Sequence, residues 1–66
     1  MRVRRLAGAL AELPPDQRLA VELHHLMDYS VAETAEIMSR SRQAIVGLLF
    51  RGLRKLRGRL ETKHQG

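Results

Sequence analysis

Arg40, Arg42, Arg51, Arg54, Lys55, Arg57 and Arg59 bring seven positive charges into residues 40–60, a stretch without Asp or Glu. Such a cluster acts through electrostatics, attracting phosphates or other anions and releasing their counterions. A solvated, arginine-rich helix face has the same composition, so charge alone leaves both readings open. His24 and His25 are the other residues that could do chemistry, as metal ligands or acid–base groups. Neighbours on a helix point about a third of a turn apart, and neither Glu22 nor Asp28 completes a ligand set with them. The pair therefore reads as surface or boundary histidines. The sequence shows no glycine-rich phosphate loop and no nucleophile–base pairing, so neither an enzyme, a cofactor nor a metal site is expected.

The remainder of the chain carries the opposite sign. Residues 1–39 set Arg2, Arg4, Arg5 and Arg18 against Glu12, Asp16, Glu22, Asp28, Glu33 and Glu36, a net −2, while Glu61 and Lys63 cancel. The whole chain of 66 residues has twelve Lys and Arg against seven Asp and Glu, a formal charge of +5, and no cysteine. That length holds one domain with a small core, here residues 1–66 as a single unit. Without cysteine there is no disulfide scaffold, no thiolate zinc site and no thiol nucleophile. Tyr29 and Phe50 are the only aromatic residues, too few for a stacking platform for single strands. Apolar runs are far too short to span a bilayer, and no signal segment opens the chain. These features predict a small, soluble, cytoplasmic module with no membrane partner.

The elements that must carry the basic block follow from apolar spacing, which is helical throughout. Leu6, Ala7, Leu10 and Leu13 mark a first helix over about 3–12. Pro14 and Pro15 break it, and Asp16 then suits the dipole of a second helix, about 15–27. Its expected buried stripe is Leu19, Ala20, Leu23, Leu26 and Met27. Asp28-Tyr29-Ser30 ends that helix. Ser30-Val31-Ala32-Glu33 is a capping box, with Ser30 and Glu33 exchanging hydrogen bonds at the start of a third helix, about 31–38. Ser39-Arg40-Ser41 interrupts, and Ser41 is the expected N-cap of a fourth helix, about 42–60. Its stripe is Ile45, Leu48, Leu49, Leu53, Leu56 and Leu60; residues 61–66 form a frayed tail.

A short helix, a three-residue turn and a long basic helix describe a helix-turn-helix. Ala35 is small where the two helices must close together, and Ile37 and Met38 are expected to form the seam with Ile45 and Leu49. Leu13-Pro14, Gln17-Arg18, Ser30-x-x-Glu33-x-Ala35, Ile45 and Arg51-Gly52-Leu53-x-Lys55-Leu56-Arg57 together resemble region 4 of bacterial sigma-70 factors, most closely the extracytoplasmic-function kind. The resemblance covers about residues 5–60. It implies an all-α, four-helix domain of the winged-helix-like or sigma region 4 type. It further implies binding of double-stranded promoter DNA at the −35 element, docking on the β flap of RNA polymerase, and often capture by an anti-sigma factor. Complete factors of that family add a region 2 domain, so the expectation is an excised domain with Met1 an introduced start.

Docked by its amino end in a major groove, the fourth helix would turn Arg42, Gln43, Val46, Gly47 and Phe50 to the bases. Arg40, Ser41, Arg51 and Arg54 would meet phosphates. Arg42 can pair with guanine, Gln43 with adenine, and Phe50 can pack on a thymine methyl. Alternatives stay open at this point: Gln43 as a solvated first-turn residue, and Arg51 and Arg54 in ion pairs with Glu33 and Glu36. Val46, Gly47 and Leu48 depart from the family's basic residue, serine and arginine, removing polar groups from the base-facing side. Ser39 replaces the glycine usual in the turn and must accept a left-handed conformation. Gly47 and Gly52 each cost about 1 kcal/mol of helix propensity, which close approach would explain, of DNA at Gly47 and of a helix at Gly52. A second reading from the residues is a protein-interaction module, using Leu19, Leu26, Leu48 and Leu49 to bind polymerase or an anti-sigma factor, with weak DNA binding of its own.

Overall fold

The computed structural model describes residues 3–65, with side chains for residues 6–59. All secondary structure among them is helical: Val3–Ala11 (α1), Pro15–Val21 (α2) continued by a π-helical turn over Glu22–Leu26, Val31–Met38 (α3) and Arg42–Gln65 (α4). α1 tightens as it ends, Glu12 N–H donating to the Ala9 carbonyl at 3.2 Å and Leu13 N–H to that of Leu10 at 3.1 Å. Pro14 is extended (φ −55°, ψ 147°), and Pro15 opens α2 where a missing N–H costs nothing.

α2 does not continue as an α-helix to Met27. Met27 N–H donates to the Glu22 carbonyl at 3.0 Å, five residues back, and Tyr29 N–H donates to the Leu23 carbonyl at 3.0 Å. Asp28 closes the turn at φ 64°. His24 braces it, its Nδ1 donating to the Tyr29 carbonyl at 2.7 Å, with the His25 ring edge-to-face at 4.7 Å between centroids. The histidine pair is thus partly a structural element of the turn.

α4 is the spine against which α1, α2 and α3 all pack. Ile45, Leu48, Leu49 and Leu56 meet Leu10, Leu13, Ala20, Val21 and Ala35 in one core, each large side chain stabilising the fold by about 1.5–3 kcal/mol. α4 is 24 residues long and does not end at Leu60, but remains helical through Gln65. Gly66 lies outside the described residues, as does the side chain of Leu60.

The buried stripes differ from the expected ones in an instructive way. α2 turns Gln17, Ala20 and Val21 toward α4, while Leu19, Leu26 and Met27 are exposed. The reason is distance: a Cβ on Gly52 would stand 2.9 Å from Val21 Cγ2, so α4 approaches the small-residue side of α2. In α3 the buried face is Thr34 and Ala35, flanked by partly buried Val31 and Met38; Ile37 points to solvent. Ala7 is likewise exposed where Ala9 is buried, and Leu53 lies at the rim.

Candidate nucleic-acid interface

The site is built on the junction between α3 and α4. Ser30 Oγ accepts from Glu33 N–H at 3.0 Å and Glu33 Oε1 accepts from Ser30 N–H at 2.8 Å, so the capping box secures the start of α3. This pair stands at the far end of α3 from the turn and serves the helix alone. α3 ends with Ser39 at φ 56°, ψ 46°. Arg40 N–H donates to the Ala35 carbonyl at 2.9 Å and Ser39 N–H to that of Glu36 at 3.2 Å, a Schellman ending in which serine occupies the left-handed position glycine favours. Ser41 then caps α4, its Oγ accepting from Ala44 N–H at 3.0 Å.

These two ends fix how α4 presents itself. Ile45, Leu48 and Leu49 are buried, which turns Arg42, Gln43, Val46 and Phe50 outward along one face. Val46 is 54% exposed and Phe50 62%, with the half-buried Gly47 between them. From Arg42 to Phe50 this face runs about 12 Å, close to the width of a B-DNA major groove. The Arg54 guanidinium lies over the Phe50 ring, 5.7 Å from its centroid. Arg51 folds back toward the Gly47 position, its Nη2 standing 3.6 Å from where a Cβ would be.

The structure bears on the ion-pair alternative for the arginines. Among the described residues neither Arg51 nor Arg54 pairs with Glu33 or Glu36. The ion pairs use other acids: Asp16 binds Arg40, Glu12 binds Arg59, and Arg18 pairs with Glu22 at 2.9 Å, four residues on. Arg40, expected on a phosphate, is therefore tethered to the first turn of α2, a partner 24 residues away for which the sequence carries no local signal. Both members are about half exposed, so such a pair contributes about 0–1 kcal/mol and yields readily to a competing anion.

Among the described residues no group of three or more His, Cys, Asp or Glu side chains could hold a metal ion, and no helix is long and apolar enough to cross a membrane. What the surface offers is a groove-sized helix face with polar, apolar and cationic side chains and a capped amino end, suited to a duplex edge and its phosphates. Comparison with curated proteins and with solved structures finds no match. A family model described as sigma-70, region 4 matches residues 4–56, from α1 through the core residue Leu56. The chain therefore belongs to the sigma-70 region 4 family, which serves promoter recognition in transcription initiation and is not a family of enzymes.

Proposed function

We propose that this domain, of the extracytoplasmic-function kind, recognises a −35 promoter element through the outer face of α4 and docks on the β flap of RNA polymerase in the cytoplasm. Arg42, Gln43, Val46, Gly47 and Phe50 face the base edges, and Ser41, Arg51 and Arg54 meet the backbone. Arg40 joins them by exchanging Asp16 for a phosphate. The observation that carries this reading is the exposure of Val46 and Phe50 on a face otherwise made of polar and charged groups. Apolar side chains placed there favour thymine methyl groups, and the stacked Arg54 holds the ring in position. Selection of binders from randomised duplexes, followed by fluorescence anisotropy at several salt concentrations, tests it. The expected result is a T-containing consensus bound at least ~10-fold tighter than its scrambled form, the discrimination of about one good base contact. Equal affinity for both would overturn the specific readout.

A second reading, docking of polymerase or an anti-sigma factor with weak DNA binding, is favoured by the exposed Leu19 and Leu26, joined by Met27. Leu48 and Leu49 drop out of that surface because they are core. It gains if no duplex binds even at low salt while a Leu19→Asp/Leu26→Asp variant loses binding to polymerase.

A further inference from the structure

Beside the base-facing side of α4, a hollow between α2 and α4 is lined by Gln17, Arg51, Arg54 and Lys55. The three cations fall at i, i+3 and i+4 and so share one face of α4, while Gln17 reaches them from α2. The helices close tightly behind them, since a Cβ on Gly52 would also stand 3.6 Å from Gln17 Cβ. Gln17 is only 8% exposed, and its Oε1 is buried without a hydrogen-bond partner. None of the three cations is paired with a carboxylate among the described residues, whose ion pairs are Arg18–Glu22, Arg40–Asp16 and Arg59–Glu12. Three unneutralised cations around one hollow make a place that attracts an anion. Gln17 adds an amide whose NH2 can donate to an anionic oxygen.

The hollow is also in the right place for one. Lys55 lies about 12 Å along the helix from Gly47, so with Gly47 over the base edges the hollow meets the wall of the groove, where the phosphates run. We propose that it seats one backbone phosphate of the bound duplex, with Gln17 and Lys55 as binding residues beside Arg51 and Arg54. The inference rests on the reading of α4 as the groove helix and assigns its lateral anchor to a residue of α2.

The test replaces each phosphate of a selected duplex in turn by a neutral methylphosphonate. Anisotropy then gives the affinity of the wild-type, Gln17→Met and Lys55→Gln chains, and urea unfolding gives their stability. One position should weaken the wild type ~10-fold, the scale of a hydrogen bond to a charged group, and that penalty should largely vanish in both variants. Gln17→Met should remain at least as stable as the wild type, because Met fills similar volume without the orphaned oxygen. Lys55 is exposed, so Lys55→Gln carries the test if Gln17→Met fails to fold. A full penalty persisting at every phosphate in the variants overturns the inference while leaving −35 recognition intact. A wild-type chain that binds no duplex at low salt overturns both.

Discussion

Alanine at Gly47 and alanine at Gly52 should move stability in opposite directions, although both positions lie inside α4. Helix propensity favours alanine at each by about 1 kcal/mol. At Gly47 the new Cβ meets only Arg51 Nη2, at 3.6 Å, the tip of a flexible side chain, so about 0.5–1 kcal/mol of that gain is kept. At Gly52 the Cβ would stand 2.9 Å from Val21 Cγ2, well inside the ~3.5–4.0 Å at which carbon atoms pack. Val21 is buried and stiff about χ1 on its helix, and the Gln17 backbone carbonyl 3.6 Å away limits any sliding. α2 must therefore move off α4, and overpacking of this kind costs about 1–3 kcal/mol. At the middle of that range, net of propensity, Gly52→Ala should be about 1 kcal/mol less stable than wild type, a fall in Tm of roughly 4–8 °C. Val21→Ala in the Gly52→Ala background should restore space, giving a coupling of about 1 kcal/mol in a double-mutant cycle followed by urea unfolding and far-UV circular dichroism. A Gly52→Ala chain as stable as wild type, or no coupling to Val21, would refute the close approach on which the α2–α4 interface is argued.

Four further outcomes follow from the same structure. Thr34 is fully buried and its Oγ1 has no partner, so Thr34→Val should hold or raise stability by up to about 1 kcal/mol while Thr34→Ala lowers it; thermal unfolding separates the two. Ser39→Gly should raise stability by about 0.5–1 kcal/mol in the same measurement, relief of the left-handed strain outweighing the added freedom of the unfolded chain. If the hollow of Arg51, Arg54 and Lys55 neutralises one phosphate and Arg40 a second, log K should fall with log salt at a slope of about −1.8, roughly a 12-fold loss between 50 and 200 mM. Asp16→Asn should leave that slope unchanged, because Arg40 already exchanges Asp16 for a phosphate on DNA; a slope steeper by about 0.9 would show that the pair stays closed in the wild type.

Local chemistry made much of this architecture readable from sequence. The Pro14-Pro15 break, the Ser30–Glu33 box and the Ser41 cap are each a few residues long and depend on nothing distant. Ser39 belongs with them, because a serine in the place of a turn glycine announces its own strain. Where burial had to be inferred, hydrophobicity misled: Leu19 and Ile37 rank above Ala20 and Thr34 by apolar area, yet the smaller residues are inside. Closely packed helices select for fit at the contact, and the glycine at position 52 is the sign that α2 would present a small face. The π-helical turn was not legible at all, since it is held by Tyr29 and His24 folding back on the helix end.

Charge shows the same division more sharply. The acid-free stretch 40–60 is visible at once, but its seven cations are not equivalent in the folded chain. Asp16 on α2 and Glu12 beyond α1 take Arg40 and Arg59, one near each end of the basic segment. The pairing leaves Arg51, Arg54 and Lys55 unneutralised in mid-helix, where they border both the Val46–Phe50 face and the Gln17 hollow. The mildly acidic half of the chain is therefore part of the recognition surface in an indirect sense. By engaging the outermost arginines it concentrates the free positive charge opposite the span of one groove, which is what sequence-independent attachment needs before base edges are read.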